Sequence, residues 1–435
     1  MKLTLCAVML ASLAVLPSQG MAQAATSDGE VSHQGVQPVA VSSRAEETVS
    51  GINAFSLDLY RHMLADGGNL FLSPASVSTA VALAYRGAAG RTATELRSVL
   101  HYNADPKAYL PLSAEAFAAI SPVGEARTLQ MANAIWVQDG LPLHVDYRMD
   151  VQKYMSAGLH YTDFRKDHEK SRVEINAWVA KATSDRIRDL LERDKVTKET
   201  RTVLVNAIYW KGRWASPFDA KLTRTEPFRR LDGKKAPMLL MQQRGQFASL
   251  HRGGVQVIDL PYAGSNMAMT IFLPGDPEGF RRFESGLTDK KLSRWLNDLR
   301  SAPLRDTILT IPRMHAEWGM DLKEPLHDMG APTPFSDAAD FSGMAPLKGS
   351  GPGAEGLKIT QIIHQARLDV DEYGAEAAAS TAVTGDIISS GRRGPPPPPP
   401  VVFRADRPFF YLLRDRSSGL ILFMGRHVMT NDRTD

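Results

Sequence analysis

Asp371-Glu372-Tyr373-Gly374-Ala375-Glu376-Ala377-Ala378-Ala379-Ser380-Thr381-Ala382-Val383-Thr384-Gly385-Asp386-Ile387-Ile388-Ser389 is the stretch on which the fold turns. Ser390-Gly391-Arg392-Arg393-Gly394 and a proline run, Pro395 to Pro400, follow it. The stretch joins a strand-like run to a strand-like pair near the C-terminus, and at roughly thirty residues it far exceeds the usual connection of about 4–6. Loops of that length are functional or disordered. With Gly374 as a hinge, the following residues divide by period two. Ala375, Ala377, Ala379, Thr381 and Val383 fall on one face, and Glu376, Ala378, Ser380, Ala382 and Thr384 on the other. The first face is small or β-branched throughout, and the only charge lies on the second. Nothing bulky or charged would have to enter a core if this segment slid between two strands. No proline interrupts 375–388, so every backbone N–H there is free to join a ladder. Alanine runs are also strong helix formers, and from the residues alone a short exposed helix or a tether is the plainer reading.

Working outward, Leu368 and Val370 alternate with Arg367, Asp369 and Asp371, the pattern of a half-buried strand. Val203-Leu204-Val205-Asn206-Ala207-Ile208-Tyr209-Trp210 is almost wholly apolar and predicts a central strand covered on both faces. Pro408 to Leu413 and Leu420 to Met424 flank a Ser417-Ser418-Gly419 turn and read as a hairpin. Helical spacing marks Ile52, Phe55, Leu59 and Met63, and again Ile175, Trp178, Val179 and Ala182. Helices dominate the first half and strands appear late, with no internal repeat and no long linker, which predicts an α+β fold in one compact body or two closely interlocked halves.

The chain begins with Lys2, an apolar run from Leu3 to Leu16 and a small-residue site at Ala22-Gln23-Ala24. Residues 1–24 read as a secretory signal peptide, the run being shorter than the roughly 20 residues that span a bilayer. Residues 25–48 are polar and aperiodic and read as a flexible leader, with a folded domain over 49–430. The only cysteine, Cys6, lies in the signal segment, so disulfides, cysteine nucleophiles and thiolate metal sites are excluded from the mature chain. The expected location is secreted or periplasmic. The 435 residues carry 51 Lys+Arg against 48 Asp+Glu, and 43% are hydrophobic. That is ordinary globular composition with a net charge of +3, so neither nucleic acid nor a membrane is an implied partner.

Catalytic signatures are missing. There is no Gly-x-Ser-x-Gly, no His-Glu-x-x-His and no phosphate loop of the Gly-x4-Gly-Lys-Ser/Thr type. The histidines form no close pair at metal-ligand spacing, and the glycine-rich stretch from Gly349 to Gly356 contains Pro352 and reads as a surface loop. No metal, no cofactor and no catalytic residue are expected, although a triad converging only in space would leave no trace of this kind.

At this point the sequence resembles the serpin family, over about Val49 to Val428. The hinge signature of inhibitory serpins, Glu-x-Gly-small-Glu-Ala-Ala-Ala-x-Thr, matches Glu372 to Thr381. Asn69 to Ser76, Ala132-Asn133-Ala134-Ile135-Trp136, Asn206 to Trp214, Asp259 to Tyr262, Asp340 to Met344, Arg407-Pro408-Phe409 and Phe423-Met424-Gly425 fit in the family's order. The resemblance implies a three-sheet α+β fold whose reactive loop, about 372–402, is bait for a serine protease. The target's serine attacks the loop, and the cut strand inserts into the central sheet and carries the protease away before hydrolysis finishes. Ser73, Ser76, Asn206 and His364 match the family's shutter and Trp214 its breach tryptophan, all structural. Without the family, Asn206 is a polar residue in an apolar strand that must be satisfied, and His364 a hydrogen-bonded core histidine.

Counting from Glu372 as one, the family's usual scissile position falls at the seventeenth residue, Ile388, giving the bond Ile388–Ser389. This suits an elastase- or subtilisin-like target, with cysteine proteases as secondary targets. The alternative is Arg392 or Arg393, which a trypsin-like protease would prefer but which lengthens the insert by four or five residues. Ala375 departs from the Thr or Ser common there, Gly385 and Asp386 are poor strand formers, and the segment from Ser390 to Pro400 is longer than usual, its proline run reading as a polyproline II spacer, with a docking motif as the other reading. The resemblance therefore implies a monomeric, irreversible suicide-substrate inhibitor, not an enzyme. A non-inhibitory serpin acting as a binding or carrier protein is the alternative, against which the small-residue hinge argues, and an unrecognised hydrolase is a third.

Overall fold

A computed structural model describes residues 42–118, 120, 127–155, 158–346, 356–374 and 398–429. The signal peptide, the leader as far as residue 41, most of the Gly349–Gly356 stretch and residues 375–397 lie outside the described residues. The helices are α1 (Ser43–His62), α2 (Pro74–Tyr85), α3 (Gly90–Val99), α4 (Pro106–Ala118), α5 (Val145–Met155), α6 (His168–Ala182), α7 (Pro277–Ser285), α8 (Asp289–Arg300) and α9 (Lys323–Asp328). The strands are β1 (Leu70–Leu72), β2 (Arg127–Gln138), β3 (Gly158–Thr162), β4 (Thr202–Gly212), β5 (Arg224–Arg229), β6 (Lys235–Arg252) and β7 (Val255–Pro261). They continue as β8 (Met267–Pro274), β9 (Leu304–Pro312), β10 (Met314–Asp321), β11 (Gln361–Val370), β12 (Val401–Arg404), β13 (Phe409–Asp415) and β14 (Ile421–His427).

The folded body starts at Ser43 rather than near Val49, which corrects the leader boundary: residues 43–48 are helical. Ser42 caps α1 by accepting the Ala45 N–H at 3.2 Å, and Glu46 lies in the first turn, where the helix dipole favours an acid. The Ser42 N–H in turn donates to Glu115 at 2.7 Å. Polar composition hides this helix start because its partners are distant in sequence.

Five strands, in the order β10-β11-β4-β2-β3, make one sheet. The others run β1-β14-β13-β8-β7-β6-β9-β12, with β5 paired to β6. The long strand β6 belongs to two sheets: residues 240–248 pair with β9 and residues 249–252 with β7. This is the expected three-sheet α+β arrangement. The strand expected at 203–210 is β4, buried along nearly its whole length, and the C-terminal hairpin is the antiparallel pair β13–β14. β2 and β3 add strands to a half expected to be mainly helical. β2 is rich in Ala, Asn and Gln, weak strand formers, and owes its state to its antiparallel ladder with β4. Behind the sheet, every residue of α2 is buried. Its Ala, Ser and Thr side chains let it lie close against β2, β4 and β14. Among the described residues no helix is long and apolar enough to cross a membrane.

Candidate functional site

The site is the seam between β4 and β11. These strands run parallel, with Gln361 to Leu368 registered against Val203 to Trp210, while their outer neighbours β2 and β10 pair antiparallel to them. Parallel ladders have slanted bonds and are slightly less stable per residue than antiparallel ones. A chain that leaves the C-terminal end of β11 and turns back can only run antiparallel to both strands. A strand slid into the seam therefore exchanges one parallel ladder for two antiparallel ones.

At the C-terminal end of β11, residues 371–374 form the turn that aims the chain. The Asp371 carboxylate accepts the backbone N–H groups of Tyr373 (2.9 Å) and Gly374 (2.7 Å). The Trp214 indole N–H donates to the Asp371 carbonyl at 2.9 Å, and the Trp214 backbone N–H to the Tyr373 carbonyl at 3.1 Å. Trp214 is itself stacked on Tyr262, with ring centroids 4.5 Å apart. Gly374 has φ of +72°, and a Cβ there would collide with the Gly212 carbonyl oxygen. Only glycine meets both conditions.

Glu372 points inward and is 2% exposed. Arg313 donates to both of its oxygens at 2.6 and 2.7 Å, and the Thr223 hydroxyl donates at 2.6 Å. Burial pushes its pKa up, but Thr223 and Arg313 outweigh burial and hold the carboxyl below its ordinary range. Glu372 thus ties the end of β11 to the start of β10 and to the segment before β5.

Lower in the same seam a buried polar row crosses three strands. Asn133 on β2, Asn206 on β4 and His364 on β11 are register neighbours. The Ser73 N–H donates to His364 Nε2 at 3.1 Å, so the ring proton is on Nδ1 and is donated to the Asn206 side-chain oxygen. The Asn206 amide donates to Ser76 Oγ and Asn133 Oδ1, and Ser73 Oγ donates to the Leu422 carbonyl at 2.5 Å. The row ties the seam to the N-terminus of α2 and to β14. A satisfied buried network of this kind is rigid while closed and has few alternatives when opened.

The structure thus brings together Ser73, Ser76, Asn206 and His364 as one cluster and Trp214, Glu372 and Gly374 as another. Ala375, Glu376, Ala377, Ala378, Ala379, Ser380 and Thr381 of the hinge, the Ile388–Ser389 bond and the alternatives Arg392 and Arg393 lie outside the described residues. Asn133, Arg313, Thr223 and Tyr262 were not singled out as site residues. Asn133 carried a signal, a polar residue amid Ala132, Ala134 and Ile135 like Asn206 in its own strand. Arg313 and Thr223 carried none, since only the folded chain sets them beside Glu372.

Burial pushes the His364 pKa down from 6.5 to about 3, so the folded state keeps the ring neutral while the unfolded chain protonates it. Stability from this group is full above about pH 6.5 and is lost between there and about pH 3, at up to about 1.4 kcal/mol per pH unit. Denaturant midpoints measured across that range are expected to fall less steeply for His364→Asn than for the parent. Equal slopes would contradict the buried neutral assignment.

The family model for serpins (serine protease inhibitor) matches residues 50–430. An uncharacterised serpin-like protein of Thermococcus kodakarensis is 34% identical over 391 residues, covering 88% of this chain and 86% of its own. The leukocyte elastase inhibitor of Bos taurus is 33% identical, covering 87% of this chain and 99% of its own. Human thyroxine-binding globulin, solved in complex with thyroxine, has a TM-score of 0.77 at 26% identity, covering 89% of this chain and all of its own. With the parallel seam, the glycine turn and the buried polar row already in the fold, these likenesses leave one conclusion: the chain belongs to the serpin family.

Proposed function

We propose that this serpin is a single-use trap for serine proteases, working by loop cleavage and strand insertion. Serpins are mostly protease inhibitors rather than catalysts, and the relatives include an elastase inhibitor. The observation that carries the finer reading is the β4–β11 seam, a parallel pair with a chain leaving its end through a glycine turn. In the proposed reaction the protease serine Oγ attacks the Ile388 carbonyl carbon. The Ile388–Ser389 amide breaks, the new amine of Ser389 takes up the proton, and an ester joins the Ile388 acyl group to the protease. Residues 375–388 then enter the seam antiparallel to both strands, with Ala375, Ala377, Ala379, Thr381 and Val383 on the buried side. Hydrolysis of the ester competes with insertion, so the smallness of the buried face sets the yield of trapped protease.

An apolar β-branched residue before the cut favours elastase- and subtilisin-like proteases and leaves the acidic pocket of a trypsin-like enzyme unfilled. We assign the protein to a secreted or periplasmic setting on the strength of residues 1–24. The test is incubation of the full chain with elastase-, subtilisin- and trypsin-like proteases. A denaturant-stable covalent band is expected with the first two, and mass spectrometry of the released peptide should begin at Ser389. Cleavage with no such band would favour the carrier reading over inhibition, and a peptide beginning at Arg393 or Gly394 would move the cut to the arginines.

A further inference from the structure

Away from the seam, the β6–β7 turn and the ends of α7 and α8 enclose a cleft of about 510 Å³. Its opening has a backbone cause. Gly253 and Gly254 have φ of +57° and +77°, and a side chain at either would meet nothing within 4 Å. Gly275 lies beside them, where a Cβ would stand 3.9 Å from the Gly254 carbonyl oxygen.

Arg252, Arg282, Lys291 and Arg294 line the cleft against a single carboxylate, Asp276. That carboxylate is already used as the α7 cap, accepting the Gly279 N–H at 2.7 Å. Four positive charges thus gather in one concavity of a chain whose net charge is only +3. Arg252 pairs with Asp298 at 2.5 Å and Arg282 with Glu278 at 3.6 Å, but both pairs are solvent-exposed and of the kind worth little. Lys291 donates to the Gly286 carbonyl at 2.6 Å, and Arg294 has no hydrogen bond or ion pair among the described residues. One wall is aromatic. Trp295 and Phe283 both pack on the buried Phe272, at 6.2 and 5.7 Å between centroids, which holds the half-buried rings in place. The Arg252 guanidinium lies over the Trp295 ring at 5.9 Å.

The geometry points to a binding site for a small aromatic ligand bearing a sulfonate, sulfate or phosphate group. The ring lies against Trp295 and Phe283 and the anionic head between Lys291 and Arg294, while Arg252 and Arg282 exchange exposed carboxylates for it. Charge-assisted bonds from guanidinium and ammonium groups suit such a head, and the volume falls within the usual range of about 300–1,000 Å³ for small-molecule sites. The site uses no residue of the seam or of the 371–374 turn and stands apart from protease trapping.

The probe is 8-anilinonaphthalene-1-sulfonate, followed by fluorescence on the full chain. Saturable one-site binding is expected, weakened about tenfold or more in Lys291→Glu/Arg294→Glu, with a smaller loss in Arg294→Gln. Val145→Ser/Met149→Ser, on an exposed apolar part of α5, should bind as the parent does. 1-Naphthyl phosphate should displace the probe, and inorganic sulfate at matched ionic strength should not. Lys291 and Arg294 are exposed, so the charge reversals should keep the parent's circular dichroism. If they did not, Arg294→Gln alone decides. Charge-reversed protein binding as tightly as the parent, loss of binding in the α5 variant, or equal displacement by sulfate would each overturn the assignment.

Discussion

Cutting the loop after Ile388 is expected to raise the thermal midpoint by about 6–19 °C. Insertion of residues 375–388 would form roughly ten new ladder bonds, each worth a net 0.5–1.5 kcal/mol, or about 5–15 kcal/mol together. For about 380 folded residues the unfolding entropy is roughly 0.8 kcal/mol per degree, which converts that gain into the stated shift. The gain is comparable with the whole stability of an ordinary domain. The uncut protein would then persist for kinetic reasons: the buried His364–Asn206 hydrogen bond, which bridges β11 and β4, must open before a strand can enter. Scans of intact and nicked protein at one heating rate provide the measurement. An unmoved midpoint would show that the nicked segment gains no sheet, and the proposed engine would be gone.

The second large effect is expected from Ala377→Arg. On the proposed register this side chain faces the core beneath the seam, where α2 carries no acidic side chain to pair with a guanidinium. An unpaired buried charge costs several kcal/mol, and each 1.4 kcal/mol is a factor of ten in a competing rate. The variant should be cleaved at the parent's rate yet give little or no covalent complex, converting inhibitor into substrate. The same substitution at Ala378, on the opposite face, should retain most of the complex. Parent-like trapping by Ala377→Arg would argue against insertion on this register.

Much of the fold was legible because its signals are local. The apolar run of β4, the alternation late in β11, the terminal hairpin and the period-two smallness after Gly374 each follow from residues close in the chain. Asn206 and His364 announced themselves as polar residues in apolar strands, which had to be satisfied by something. The start of α1 was misread because, apart from the local Ser42 cap, the contacts that hold its first turns lie far along the chain, at Asn103 and Glu115. β2 was hidden because pairing with β4, not its own propensity, makes it a strand.

What the chain's order of residues determined alone is the chemistry of the proposed bait: a small, proline-free, uncharged face after a glycine. Tertiary structure alone decided the seam that the proposed insertion would use. The parallel register of β4 and β11, the convergence of Asn133, Asn206 and His364 on Ser73, and the meeting of Arg313 and Thr223 around Glu372 all join residues scores to hundreds of positions apart. No local pattern encodes such meetings, because they are settled by which strands neighbour one another once the core has closed.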